Sequence, residues 1–338
     1  MSENKKEDED TIDFLSIGDI VTDAFIKLKQ AKVQGAPDNE NYEICIPFAD
    51  KIPYEEVFVA PAVGNAANAA TSASLLGLKS ALLSNVGDDK EGVECIEALK
   101  KNGIDTDLIK INPGIKTNYH YVLWYGAERT ILIKHESYAY SLPEVKEPKW
   151  IYFSSVSDTA FPFHYAVADY LDKHPETKFA FQPGKNEIKL GKEKLQRLYK
   201  HSKIFFCNVE EAKKILGLDS SEIKELLTKI HDLGPEIVIV TDGPKGAYTY
   251  DGNEYLFMPP YPDPKAPYER TGAGDAFSST IVSAIILGKT LPEALAWAGI
   301  NSMSVVQEIG GQKGLLTREK IEEYLSKAPE SYKVEKIN

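Results

Sequence analysis

Cysteine is scarce in this 338-residue chain, and the three present, Cys45, Cys95 and Cys207, are far apart and odd in number. No disulfide framework and no metal-ligand spacing follows from them, which suits a reducing compartment. Long apolar runs are missing too. No stretch of about 18 or more apolar residues occurs, so no segment is expected to span a membrane. Positive charge is in deficit: 39 Lys and Arg against 51 Asp and Glu give a net charge of −12. That excess of acid argues against a nucleic-acid partner and against docking on an anionic membrane. A nucleotide site in such a chain must make its own local positive field. Met1 to Asp10 are polar and mostly charged, with no apolar core behind them. They read as a disordered tail, not a secretory signal, and the expected location is cytoplasmic. There is no His-Glu-x-x-His and no Gly-x-Ser-x-Gly. No Gly-x-Gly-x-x-Gly follows the first strand, which counts against a dinucleotide-binding oxidoreductase. Gly288-Lys289-Thr290 imitates the tail of a P-loop, but Ser283 holds the required upstream glycine position and the tripeptide ends a helix.

What is present centres on Arg270-Thr271-Gly272-Ala273-Gly274-Asp275-Ala276-Phe277, followed by an apolar stretch to Leu287 and a stop at Gly288. A glycine loop that opens a helix offers free N–H groups and the positive end of the helix dipole, a site for phosphate. Asp275 is out of place there unless a proton must be removed beside the anion. Phosphoryl transfer to a hydroxyl needs that arrangement: Asp275 as base, with the N–H groups of Ala273, Gly274 and Asp275 holding the developing charge. The same segment also reads as an ordinary tight turn and helix cap.

The rest of the chain supplies further loops. Ile12–Ile17 reads as a first strand, with Asp23 just past its end, where open α/β sheets bind ligands. Short strands are expected near 42–46 and 57–59, around a loop at 47–56. A helix of small residues follows from Pro61 to Leu76, with Asn65 and Asn68 on one face, either as cap and satisfied amide or as ligand contacts. Tyr119–Trp124 and Arg129–Lys134 read as a hairpin that could form a small separate sheet with the earlier strands. From Trp150 strands alternate with helical stretches near 164–173, 190–200 and 209–233, which predicts a mostly parallel sheet covered on both faces. Asn208 and Glu211 follow the strand Lys203–Cys207, either as a helix cap or facing phosphates and Mg²⁺ through water. Thr241 to Gly246, with Gly243, follows the strand Glu236–Thr241 and could admit a nucleotide close to the backbone. In a parallel sheet these loops converge on one edge.

Taken together, these segments resemble the ribokinase-like (PfkB) family of carbohydrate and nucleoside kinases. Thr271 to Phe277 is similar to that family's C-terminal signature. Gly18-Asp19 through Asp23 is similar to its N-terminal Gly-acid-x-x-x-Asp. Val63 to Asn68, Gly87 to Gly92, Asn208 to Glu211 and Thr241 to Gly246 follow in family order, so the likeness covers about residues 12–327. The resemblance implies an α/β fold with a small β-sheet lid, in one kinase domain over 11–338 with lid strands from about 40–60 and 117–135. It implies ATP as donor, Mg²⁺, Asp275 as base, and Gly272 to Gly274 as anion hole. Glu211 would serve the metal, with Asp23, Gly64, Asn65 and Asn68 at the acceptor. Asn208, Thr241, Gly243, Gly246 and Thr271 would face the nucleotide, and Arg270 could reach a phosphate of ATP or of a phosphorylated substrate, or be a surface residue. Lid residues Asn118, Tyr119, Tyr121 and Arg129 would choose among sugars, sugar acids, sugar phosphates and nucleosides. Pairing through the lid would give a homodimer. A monovalent cation such as K⁺ would sit near the carbonyls of Tyr268 and Gly310. The chain departs from the family at Val63, at Glu269-Arg270, and at Gln182 before Pro183. A nucleoside kinase and an inactive sugar- or nucleotide-binding regulator are the alternative readings.

Overall fold

Alternation at period two decides which face of the main sheet each strand residue covers. The computed structural model describes residues 11–35, 42–126, 128–220 and 222–337, so the expected tail lies outside the described residues. Seven strands run parallel: β13 (Ile237–Thr241), β12 (Ser202–Asn208), β11 (Lys178–Phe181), β10 (Trp150–Phe153), β1 (Phe14–Ile17), β6 (Ser80–Gly87) and β7 (Ile109–Asn112), in that spatial order. Beyond β13 the sheet continues antiparallel through β14 (Ala247–Tyr250), β15 (Tyr255–Met258) and β16 (Glu335–Lys336).

Leu15, Ile17, Ile151, Phe153, Phe181 and Phe205 pack on one side under α3 (Phe161–Lys173), α5 (Gln196–His201), α6 (Val209–Leu216) and α7 (Ile223–His231). Phe14, Trp150, Tyr152, Ala180, Ile204 and Ile239 pack on the other, under α1 (Asn65–Leu75), α8 (Ala273–Ile286), α9 (Leu291–Val305) and α10 (Arg318–Ser326). Each fully buried large side chain contributes about 1.5–3 kcal/mol, so both layers are firmly held. α2 (Lys90–Lys101) closes a third cluster against α1, and the short α4 (Lys185–Leu190) follows β11.

A second, four-stranded sheet has the order β5 (Tyr54–Val63), β2 (Val21–Leu28), β8 (Tyr119–Tyr125), β9 (Glu128–Leu132). The hairpin of β8 and β9 is present as expected, but the central strand β2 is one the sequence reading takes for a loop. Its run from Ile20 to Leu28 lacks clean alternation. The strand near 42–46 goes elsewhere: β4 (Glu43–Cys45) pairs with β3 (Lys32–Gln34) in a ribbon of its own. Three helix boundaries also differ. Pro61 to Val63 extend β5 because Val63 pairs with Val21, so α1 starts only at Asn65. Gly217, at φ 68°, ends α6 and splits the expected 209–233 helix. Gly191, at φ 89°, separates α4 from the next helix.

Candidate active site

Five parallel strands deliver their carboxyl ends to one edge. Residues at or just past those ends, Asp19, Ser155, Gln182, Asn208 and Thr241, all line one cavity of about 490 Å³. The helix α8 points its N-terminus at the same place. Its cap is Gly272, at φ 78°, and a Cβ there would stand 2.3 Å from the Gly311 Cα. Glycine is therefore required on two grounds. The N–H groups of Ala273, Gly274 and Asp275 fall in the first turn, where helix geometry gives them no intrahelical acceptor. Asp275 is buried, and its carboxylate accepts from Asn68 Nδ2 at 2.8 Å and from Gln182 Nε2 at 3.2 Å. Burial raises its pKa above the ordinary carboxylate value, opposed by those two amides and by the charge of Arg129.

The second sheet roofs this cavity. Register puts Asp23 beside His120, Val122 beside Ile131, and Trp124 beside Arg129, so one face carries Asp23, His120, Arg129 and Ile131. Asp23, His120, Arg129 and Ile131 line the cavity, with Asp19 and His135 beside them. Asp23 Oδ1 lies 3.3 Å from His120 Nδ1, and Asp19 Oδ2 lies 3.1 Å from His135 Nδ1, without hydrogen-bond geometry. Asp19 raises the pKa of His135. Among the described residues, eleven buried side-chain atoms lack a hydrogen-bond partner, and five belong to residues of this wall: Asp19 Oδ2, Asp23 Oδ1, His120 Nε2, Arg129 Nε and His135 Nδ1. All but His120 Nε2 lie within 3.3 Å of an acid or base partner, at His120, His135, Asp19 or Glu269. Buried polar atoms are normally hydrogen-bonded, so this concentration of acids and bases singles out the wall as a candidate ligand contact.

A family model described as "pfkB family carbohydrate kinase" matches residues 40–318. The chain belongs to the pfkB family of carbohydrate kinases. It is a phosphotransferase with an alcohol group as acceptor, in a family of ATP-dependent kinases. The chain is similar to a ribokinase of Bacillus subtilis, 26% identical over 78% of this chain and 87% of the relative. It is also similar to a nucleoside kinase of Methanothermobacter thermautotrophicus, 25% identical over 75% of this chain and 80% of the relative. The structure of a ribokinase of Arabidopsis thaliana complexed with ribose and ATP superposes with a TM-score of 0.75 at 19% identity, covering 93% of this chain and 99% of that one. At that identity the likeness concerns the fold.

This kinase fold brings most of the residues singled out in sequence to one place, with different fates. Asp23, Gly64, Asn65, Asn68, Asn208, Glu211, Thr241, Arg270, Thr271, Gly272, Gly274 and Asp275 all line the first cavity. Asp23 does so from within β2, not from a loop. A neighbouring cavity of about 820 Å³ shares Asn208, Thr241, Arg270 and Gly274, and adds Gly243, Gly246 and Ala273. Gly64, at φ 105°, passes so close to Asp19 that a Cβ would meet its carbonyl oxygen at 2.9 Å. Asn68 is nine-tenths or more buried and already engaged: it donates to Asp275 and accepts from Gln312 Nε2 at 3.1 Å. Asn208 and Glu211 cap α6 reciprocally, at 2.8 and 2.9 Å, so the cap reading is realised at a cavity wall. Burial raises the Glu211 pKa, and the charge of Asp275 adds to it.

Asn118 does not reach the cavity. It is fully buried, donates to Ile20 O at 3.2 Å and accepts from Glu136 N at 2.7 Å, tying β8 to the crossing segments. Tyr121 is also on the far face: register sets it beside Ala24 and Leu132, and it is exposed. The sequence reading missed His120 and His135, and gave Asp19 no role of its own. His120 was discoverable, because a strand through Tyr119 and Tyr121 must turn residue 120 to the opposite face. Glu269 was noted only as a departure. Its buried carboxylate accepts from Thr271 N at 2.7 Å and lies 3.3 Å from Arg129 Nε, which fastens the roof to the anion loop.

Proposed function

We propose that this protein transfers the γ-phosphoryl group of ATP to a hydroxymethyl group of a sugar, with Asp275 as general base. The observation that carries the reading is the polar cluster of Asp19, Asp23, His120 and His135 lining the cavity under the second sheet, opposite a carboxylate at a helix N-terminus. Asp19, Asp23, His120 and His135 would hold ring hydroxyls, with Gly64 and Asn65 lining the same wall. One hydroxyl left toward Asp275 would lose its proton there. The N–H groups of Ala273, Gly274 and Asp275 would hold charge on the transferring group, aided by the α8 dipole.

The nucleotide belongs in the second cavity, against Thr241, Gly243 and Gly246, with its phosphates toward Asn208, Arg270 and Thr271. Mg²⁺ fits the polar chemistry between the two cavities. Glu211 and Asp275 disfavour each other's charge, which a cation would relieve, and Mg²⁺ needs few protein ligands when phosphates and water supply the rest. Bound there, it would neutralise phosphate charge; Glu211 and Asn208 are its protein side. A monovalent cation fits less well. Between Tyr268 and Gly310 the buried carboxylate is Glu269, and Arg129 already neutralises it, so no step is assigned to K⁺.

The outward face of the second sheet supports pairing of two copies. Register sets Ala24, Ile26, Val57, Val59, Tyr121 and Leu132 together on it, and Val57, Val59, Tyr121 and Leu132 are exposed. A nucleoside acceptor is the second reading, favoured by Val21, Ile131 and Ile133 on the cavity wall, where a base could lie. Both are tested by incubating the protein with Mg-ATP and a panel of pentoses, hexoses, sugar acids, sugar phosphates and nucleosides, following ADP release. One acceptor class that raises turnover well above the ATPase background supports the reading and names the class. Binding of ATP with no acceptor-stimulated turnover across the panel contradicts it.

A further inference from the structure

Gln182 stands directly after β11, where the fold offers its side chain to the base. Its Nε2 donates to Asp275 Oδ1 at 3.2 Å. Its Oε1 accepts from the hydroxyl of Tyr152 and from that of Ser278, whose hydrogen is shared with Gly274 O at 2.7 Å, and the two hydroxyls contact each other at 2.8 Å. This arrangement fixes the amide. A carboxylate cannot donate, so nitrogen must face Asp275, and the two hydroxyls then have the oxygen to themselves. Tyr152 is wholly buried in the sheet, and Ser278 lies one helical turn beyond Asp275 on α8. On the other side, Asn68 donates to Asp275 Oδ2 while Gln312 holds the Asn68 oxygen. Both carboxylate oxygens are thus clamped, one from α1 and one from the main sheet.

We propose that Gln182 is a positioning residue for the base: held by Tyr152 and Ser278, it sets the orientation of the Asp275 carboxylate and favours its ionised form. The assignment of catalysis rests on the function proposed above; the clamp itself does not. The charged and titratable groups acting on Asp275 are Arg129 from β9, Glu211 from α6 and Tyr152 from β10. Only Arg129 favours the carboxylate among them. Loss of one amide donor therefore leaves burial less opposed.

The test is Gln182→Met, which keeps the chain length and removes the donor. Tyr152→Phe is the second variant, isosteric in the core, leaving Gln182 present but less firmly oriented. The Asp275 carboxyl is titrated in the free protein by ¹³C NMR, with Asp275→Asn assigning the signal. The expected result is an upward move of about one pH unit in Gln182→Met, the size of one charge-assisted hydrogen bond, and a smaller move the same way in Tyr152→Phe. With an acceptor found by the panel, kcat of Gln182→Met should fall about 10- to 100-fold with acceptor KM little changed. Its acid limb should move up with the titration. An unmoved Asp275 titration in either folded variant overturns the proposal, as does a lower kcat that only follows lower thermal stability with the acid limb in place. A protein that turns over no acceptor but shows the titration shift refutes the proposed function and leaves the clamp standing.

Discussion

Asp23 and His120 are the residues on which acceptor recognition is expected to turn. Both are buried, and both line the cavity. Asp23→Asn and His120→Ala should each raise acceptor KM about 10- to 100-fold, because a buried group left unpaired costs about 1–3 kcal/mol. ATP affinity, measured by calorimetry, should stay near that of the unmodified protein. At Asp275 the sign of the pH dependence is fixed. The proposed base would work only when deprotonated, and burial raises its pKa. Activity should therefore fall as pH drops, with the acid limb of kcat/KM above the usual carboxylate range of about 4. A limb at or below that range would show that the titrating group lies elsewhere.

At the scale of elements, the turn that opens α8 is the part with least freedom. Gly272→Ala would place a methyl group against the backbone of Gly311 at a positive φ. It should destabilise the protein by about 1–3 kcal/mol in urea unfolding and abolish turnover. Gly274→Ala meets nothing within 4 Å, so it should fold normally and lose activity only where the methyl crowds the phosphate. This turn was legible in the sequence because a glycine loop before an apolar helix follows from local rules. The loops after β12 and β13 were legible for the same reason: buried β-rich runs announce their own ends. The second sheet was only half legible. In β2 the polar residues Thr22, Asp23 and Lys27 do not alternate with apolar ones, so the sequence puts Asp23 on a loop when it lies within the strand, and it favours the neighbours of His120 over His120 itself. Asn118 stands in the expected lid as a candidate acceptor contact, yet its amide is consumed by backbone partners at Ile20 and Glu136. Such long-range partners leave no trace in spacing. The same holds for Gln182, whose partners Tyr152, Ser278 and Asp275 come from β10 and α8.

Across the whole molecule, the two sheets meet over the cavity, and the Arg129–Glu269 pair fastens one to the other. Glu269→Gln should lower stability, and a combined Arg129→Met and Glu269→Gln should recover part of it, since the stranded partner of a buried pair is the costly element. Denaturant unfolding of the two variants and the unmodified protein checks this. The pairing proposed above would bury the outward face of the second sheet. Tyr121→Glu together with Leu132→Glu should turn a dimer into a monomer in analytical ultracentrifugation, and an unchanged mass would place any contact elsewhere.

Phosphoryl transfer with Asp275 as the base is the centre of this account. Asp275→Asn, compared with the unmodified protein at saturating Mg-ATP and acceptor, tests it most directly. Turnover should fall by about 10²- to 10⁴-fold, with circular dichroism and ATP affinity unchanged. Turnover within a few-fold of the unmodified protein would contradict the account and remove Asp275 from the chemistry.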